Sequence, residues 1–391
     1  MRIGFNATGI NPSYQGGVYT YSMGLLNGLI KELNGYSLQI YATELNKNNF
    51  KKFKNKDVDV IVLPFNVYQI KFYYILVTVL TYLNIESIHE AVVNFIYRKW
   101  AKIISENSDL IYTPTSTTLP YKFNIPTVLS IHDIQQAVYP QFFSRRELLR
   151  RRITYSLSVK NSTLIQASSG FMKDHLLEYY DFLDEEKVKV IPEGVDILRF
   201  SAKHKESVIE KYSIQKKFLY YPAQLWPHKN HITLLRALSA LSARGVKIPL
   251  VMTGSAYRGS KEIFEYIKQH NLDFVYYLGK VPEEDVVSLY QDAWYFITAT
   301  LYESSSLPIL EAAAAKSLII ASRTPPNIEM EMNIKAELFD PNNFSELEKL
   351  LFRLWNDDSS KDENRNVNSS RVRDYSWDEI AKIYIDIFKH I

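Results

Sequence analysis

The 391-residue chain predicts an α/β protein of two domains, each a parallel sheet covered by helices. Three observations carry that prediction. The length exceeds what one ordinary hydrophobic core accommodates and suits two. Short β-branched and aromatic runs alternate with longer helical stretches along the whole chain, the pattern of repeated strand–helix–strand units. Pro192 and Gly194 interrupt that order midway, in Ile191-Pro-Glu-Gly-Val-Asp196, and mark the boundary.

The strand-like runs of the first half are 3–7, 38–42, 58–63, 110–112, 127–132 and 164–167; those of the second are 218–222, 250–253, 274–278, 295–300 and 318–321. The polar stretch 356–370 predicts a mobile surface loop. Residues 375–388 then carry an apolar stripe at helical spacing. Hydrophobic residues make up 46% of the chain, which argues against disorder. A net charge of +3 does not suit a polyanion-driven nucleic-acid binder, and the lack of cysteine removes disulfides, thiol chemistry and Cys-based metal sites. The N-terminus reads as a strand rather than a basic segment followed by an apolar one, which predicts a cytoplasmic protein.

The longest apolar run, 72–83, is too short to span a bilayer. It suits a buried element or, with its tyrosines and nearby Lys71, Arg98, Lys99, Trp100 and Lys102, an interfacial one. A second basic cluster, Arg145, Arg146, Arg150, Arg151 and Arg152, adds attraction for anionic lipid on the inner face of the cell membrane.

Chemistry concentrates at strand ends. After the run 295–300 comes Leu301-Tyr-Glu-Ser-Ser-Ser-Leu-Pro-Ile-Leu-Glu-Ala-Ala-Ala-Ala315. Pro308 suits the first helical position and Ser306 its cap, so Glu303 falls in the loop and Glu311 early in the helix. Two carboxylates flanking helix-start amides can grip a polyhydroxylated, charged ligand. Gly16 and Gly17 precede another helix, with Val18, Leu25, Leu26, Leu29 and Ile30 near one face, and would let a ligand approach the backbone. There is no Gly-x-Gly-x-x-Gly after the first strand, which argues against a dinucleotide dehydrogenase. His132-Asp133 ends the run 127–132, where α/β ligands bind. Tyr220-Tyr-Pro-Ala-Gln-Leu-Trp-Pro-His-Lys-Asn-His231 runs from a strand through a turn into a helix, and places Lys229 at the turn, suited to a diphosphate. Gly254-Ser255 and Gly279-Lys-Val281 close two further strands. Asp57-Val-Asp59 precedes its strand core and reads as a solvated start, not a metal site.

In this order the segments resemble the family-4 retaining glycosyltransferases of the GT-B fold. Glu303, Leu307, Pro308, Glu311 and Ala312 match the family's E-x7-E signature; Ser304, Ser305 and Ser306 stand where it usually has Gly, Phe and Gly. The run Ser130 to Pro140 is similar to the family's His-Asp segment, and Lys229, 74 residues before Glu303, to its diphosphate lysine. Gln224 stands near the place of the family's second cation, an Arg; that cation is either missing here or supplied from elsewhere, with Arg258 and His228 as candidates only.

The resemblance implies two Rossmann-like doubly wound domains facing a cleft. Residues 1–193 would form the acceptor side and 194–374 the nucleotide-sugar side, with 375–391 a helix returning to the first domain. It implies catalytic roles for His132, Lys229 and Glu303. Gly16, Gly17, Gln224, Gly254, Val281, Ser305, Ser306, Leu307 and Glu311 would bind the donor. No metal or other cofactor is implied. The donor would carry GDP or UDP, and the acceptor would be a glycan or a lipid-linked glycan, with no nucleic-acid partner. The pattern looks most like bacterial enzymes building O-antigen, capsule or exopolysaccharide, with a lean toward mannose. A sugar-nucleotide epimerase with the same donor site and a noncatalytic sugar-nucleotide or glycan-binding subunit remain open.

Overall fold

A computed structural model describes all residues except 12–15, 65–74, 77, 84, 203–206, 258 and 358–360. The chain divides into two compact units, Met1–Gly194 with Trp377–Ile391, and Val195–Ser376.

The first unit holds strands β1 (Arg2–Asn6), β2 (Ser37–Ala42), β3 (Val58–Val62), β4 (Leu110–Thr113), β5 (Thr127–Ser130), β6 (Leu164–Ala167) and β7 (Val188–Val190). All neighbours pair in parallel, in the order β3-β2-β1-β4-β5-β6-β7. The second holds β8 (Leu219–Pro222), β9 (Leu250–Thr253), β10 (Val275–Gly279), β11 (Tyr295–Thr298), β12 (Ile319–Ser322) and β13 (Glu337–Phe339). They too are parallel, in the order β10-β9-β8-β11-β12-β13. Each sheet therefore reverses its winding once, at β1/β4 and at β8/β11. Loops leaving the C-terminal ends of strands at such a point diverge and leave a crevice for a ligand.

Alternation along the strands shows why the central ones are mainly apolar on both faces. Leu219, Tyr221, Leu250, Met252, Tyr295 and Ile297 pack on one face of the second sheet, and Tyr220, Val251 and Phe296 on the other. With helices on both faces, neither side of a strand meets water. The sheet-edge strands β7 and β13 were not evident in the sequence. Each is three residues long and partly exposed, so neither has the apolar run that marks a buried strand.

In the first unit the helix Gly17–Lys31 packs against the helix Trp377–Lys389 through glycine. A methyl group added at Gly24 or Gly194 would fall inside the Trp377 ring, and one at Gly28 onto the Trp377 carbonyl. Tyr384 joins a buried hydroxyl cluster in which Tyr21 lies 2.5 Å from Tyr384, 2.9 Å from Tyr112 and 3.1 Å from Ser130.

Several local expectations change. The apolar stripe of Gly17–Lys31 is made by Tyr21, Leu25, Leu26 and Leu29, whereas Val18 is exposed. The run 127–132 leaves the sheet after Ser130 and 295–300 after Thr298, because the following residues turn into the crevice loops. The polar stretch 356–370 is helical over Lys361–Arg371 rather than a loop. A tertiary tie secures it: the Asn368 amide donates to the Lys335 carbonyl at 2.9 Å and its oxygen accepts from the Lys335 N–H at 2.7 Å. Of the run 72–83, residues 72–74 and 77 lie outside the described residues. In the remainder Ile75, Val79, Tyr82 and Leu83 are exposed rather than buried. Among the described residues no helix is long and apolar enough to cross a membrane.

Candidate donor site

Lys229 and Glu303 come from the two loops at the second sheet's reversal, after β8 and after β11. Backbone chemistry stitches those loops together. The 3-10 turn Pro227–Lys229 ends at Asn230, whose left-handed backbone (φ 55°) suits an asparagine. Its amide donates to the carbonyls of Ala299 at 3.0 Å and Pro341 at 2.8 Å. The His228 carbonyl accepts from the Leu301 N–H at 2.7 Å and the Thr300 hydroxyl at 3.2 Å. The Tyr221 hydroxyl donates to the Lys229 carbonyl at 2.5 Å.

With both backbones held, Lys229 Nζ reaches Glu303 Oε1 at 2.5 Å. The side chains are 21% and 16% exposed, so the pair is shielded yet open at one edge. A lysine so placed is a point charge that can exchange its carboxylate partner for phosphate oxygens. His231 opens the helix that follows the turn. It is buried, stacks on Tyr221 at 4.6 Å, and burial followed by the nearby Lys229 charge pushes its pKa down to about 3.

Glu311 lies on the helix Leu307–Ala314, and the Tyr290 hydroxyl donates to its Oε2 at 2.9 Å. Desolvation pushes the Glu311 carboxyl up to about 7, against the lowering effects of that hydrogen bond and of the Arg199 charge. Ser305 and Ser306 are buried. Ser306 occupies the cap position without a side-chain capping bond, and Pro308 is the second helical residue, not the first, because the helix begins at Leu307.

Gly254 ends β9 with φ +125°, and a Cβ there would meet the Ala223 carbonyl oxygen at 2.6 Å and the Gln224 nitrogen at 2.8 Å. Only glycine fits. Its N–H donates to the Gly279 carbonyl at 2.8 Å, and its own carbonyl accepts from the Tyr277 hydroxyl at 2.7 Å. Val281 is half-buried against the core. Gln224 supplies no charge. Its Oε1 accepts from the Trp226 indole N–H at 2.8 Å, and Trp226 stacks on Tyr257 at 4.8 Å. Arg258 lies outside the described residues.

His132, Gly16 and Gly17 belong to the first unit. His132 Nε2 is 2.6 Å from the Pro114 carbonyl, which can only accept, so Nε2 carries the proton. Nδ1 then faces Glu193 Oε1 at 4.0 Å. Burial holds the His132 pKa below its ordinary value, opposed by the Pro114 carbonyl and Asp133. Gly16 has an extended backbone, and a Cβ at Gly17 would meet nothing within 4 Å among the described residues, so packing against them does not explain the glycine at 17. Among the described residues no three or more His, Asp or Glu side chains group closely enough for a metal ion. Asp59 pairs with Lys54 at 2.8 Å.

The arginine cluster separates. Arg151 donates to Asp133 at 2.8 Å and lies over the Phe143 and Tyr155 rings, while Arg145, Arg146, Arg150 and Arg152 stay exposed. Sequence reasoning missed Tyr290 and Glu193. Each lies in an ordinary helical or loop context, and only the chain's return beside Glu311 or His132 gives it meaning.

Two parallel doubly wound sheets with these loops define a glycosyltransferase of the GT-B class. The profile described as Glycosyltransferase Family 4 matches residues 15–199 and that described as Glycosyl transferases group 1 matches 204–372. Together they span most of the chain, which belongs to this glycosyltransferase family. Among sequence relatives, O-antigen chain mannosyltransferase B of Escherichia coli is 23% identical over 300 residues, 75% of this chain and 77% of that protein. The serotype-specific mannosyltransferase WbdA of the same species is 22% identical over 234 residues, 58% of this chain and 29% of WbdA. Among solved structures, Anabaena HepE in complex with UDP-glucose has a TM-score of 0.73 at 17% identity, each chain fully covered. WaaG, a glycosyltransferase involved in lipopolysaccharide biosynthesis, has a TM-score of 0.69 at 13% identity, covering 98% of this chain and 99% of that one.

Proposed function

We propose that the enzyme transfers a hexosyl unit, with retention and without a metal, from a GDP- or UDP-sugar to a glycan or lipid-linked glycan in surface-polysaccharide synthesis. The observation that carries this reading is the Lys229–Glu303 pair at the second sheet's reversal, 2.5 Å apart. Breaking the bond from anomeric carbon to phosphate builds charge on a departing diphosphate. Lys229, released from Glu303, stabilises that charge, and helix-start amides near Ser306 add to it. Glu303, released in turn, accepts from sugar hydroxyls. Glu311 accepts from the ribose hydroxyls of the nucleotide. His132, neutral and oriented by Pro114, positions the sugar. The leaving phosphate takes the acceptor proton. Residues 194–374 hold the donor and 1–193 the acceptor.

Mannose is the favoured sugar because O-antigen chain mannosyltransferase B and WbdA are mannosyltransferases by name; HepE, with UDP-glucose, keeps UDP-sugars in the test. Contact with the inner face of the membrane is supported by exposed Ile75, Tyr82, Leu83 and Phe95, followed by exposed Arg98 and Lys99.

The test is purified enzyme with GDP-mannose or UDP-glucose, with and without a mannoside acceptor, in EDTA. Transfer giving an α-linked product by NMR is expected. A β-linked product refutes retention, and activity lost in EDTA but restored by magnesium or manganese refutes metal independence. An epimerised donor without acceptor makes the enzyme an epimerase. No turnover under any condition refutes transfer from these donors.

A further inference from the structure

Given the ribose role proposed above for Glu311, we propose that Tyr290 is a positioning residue of the donor site: its hydroxyl grips one oxygen of the Glu311 carboxylate and leaves the other oxygen to accept from the paired hydroxyls of a ribose.

Tyr290 is built to hold one position. It sits on the helix Glu283–Asp292 and is fully buried. Its ring meets Phe200 edge-on at 5.6 Å and Tyr220 edge-on at 5.1 Å, and lies 5.6 Å from Phe296. The Ser317 hydroxyl donates to its carbonyl. With ring and backbone fixed, the hydroxyl has little freedom, and its partner is Glu311 Oε2 at 2.9 Å. A carboxylate is an acceptor at both oxygens, so one donor inside the protein leaves the other oxygen for ligand hydroxyls.

The chemistry of the surroundings makes that bond necessary. A desolvated carboxyl favours its neutral form, and a protonated Glu311 would present a donor where the ribose needs an acceptor. Four groups face it. The Tyr290 hydrogen bond and the Arg199 charge favour the carboxylate, whereas Glu283 opposes it; Arg199 is itself 3.5 Å from Glu283. The fourth, Tyr220, directs its hydroxyl to Thr253 at 2.9 Å. The Tyr290 phenol is held far above its usual pKa by burial and by the Glu311 charge, so it remains a donor across the working range. The Tyr290 hydrogen bond therefore works against desolvation and toward the carboxylate form of Glu311.

The test is calorimetric binding of GDP and UDP from about pH 5.5 to 9 to the full-length wild type, Tyr290→Phe, Tyr220→Phe, Arg199→Gln and Glu311→Gln. Wild-type affinity should fall as pH drops through about 7. In Tyr290→Phe the midpoint should rise by about one pH unit, giving roughly tenfold weaker binding at low pH and convergence with wild type at high pH. Tyr220→Phe loses a buried hydroxyl from the same cluster without touching Glu311 and should keep the wild-type midpoint. Arg199→Gln removes a charge from a part-buried position and should raise the midpoint even if Tyr290→Phe does not fold. A Glu311→Gln variant that binds as tightly as wild type removes the ribose role itself. If Glu311→Gln is weak but Tyr290→Phe superimposes on wild type, or loses affinity equally at every pH, the role of Tyr290 is overturned. A wild-type affinity flat across the range, or an unmoved midpoint in Arg199→Gln, overturns the dependence on an ionised Glu311.

Discussion

Replacing Lys229 with alanine separates the two things this side chain does. In the free protein it neutralises Glu303 at 2.5 Å, with both side chains about four-fifths shielded (21% and 16% exposed). Removing it leaves a carboxylate without its cation. A fully buried orphan costs about 3–5 kcal/mol, and the open edge here admits water, so about 2 kcal/mol is expected. For a unit of roughly this size that lowers the melting temperature by about 4–8 °C. In turnover, loss of the charge that faces the departing diphosphate costs about 3 kcal/mol of barrier, a factor of about a hundred or more in kcat. The double variant Lys229→Ala/Glu303→Gln resolves the two terms, because it removes both charges. Its melting temperature should recover most of the loss while its kcat stays at or below that of Lys229→Ala. The assay is initial-rate transfer with saturating donor beside thermal unfolding followed by circular dichroism. A Lys229→Ala enzyme with kcat within twofold of wild type would refute the catalytic reasoning. A double variant no more stable than Lys229→Ala would refute the reading of the pair as a coupled, shielded ion pair.

Three other outcomes follow from particular contacts. His231 has a folded pKa of about 3 against an ordinary 6.5, and neither ring nitrogen has a hydrogen-bond partner among the described residues. Between those values the unfolded chain binds the extra proton, so stability is present above about pH 6.5 and falls on acidification; His231→Phe should remove part of the slope between pH 6.5 and 4, and an identical slope counts against it. Gly28→Ala puts a methyl on the Trp377 carbonyl and should cost about 1–3 kcal/mol in denaturant titration, whereas Gly35→Ala, which meets open space at φ +92°, tests backbone strain without a clash. Anionic liposomes should float the enzyme at low salt and release it near molar salt, where screening shortens to roughly 3 Å. Phe95→Ser with Leu83→Ser should reduce recovery more than Arg151→Gln, because Arg151 is engaged by Asp133; equal losses would exclude the apolar contact.

The sequence by itself determined the α/β class, the parallel sheets and the order of the site segments. Those properties are local. A strand covered on both faces favours apolar residues on both, as Tyr295, Phe296 and Ile297 show, and a turn that needs a left-handed residue selects glycine, as at Gly254. The E-x7-E segment and the lysine turn were legible for the same reason, since each lies within one contiguous stretch. Tertiary structure decided the rest. Lys229 and Glu303 are 74 residues apart, and only the adjacency of β8 and β11 brings them to 2.5 Å. Tyr290 acquires its meaning from Glu311, and Glu193 from His132, through packing that no periodicity encodes. The helix Lys361–Arg371 forms from a polar sequence because Asn368 clasps the Lys335 backbone. Arg151, one of five similar arginines in sequence, leaves solvent because Asp133 and two aromatic rings stand opposite it. Propensity and pattern describe a residue and its chain neighbours, whereas charge pairing, desolvation and cradling depend on which distant segment the fold sets beside it.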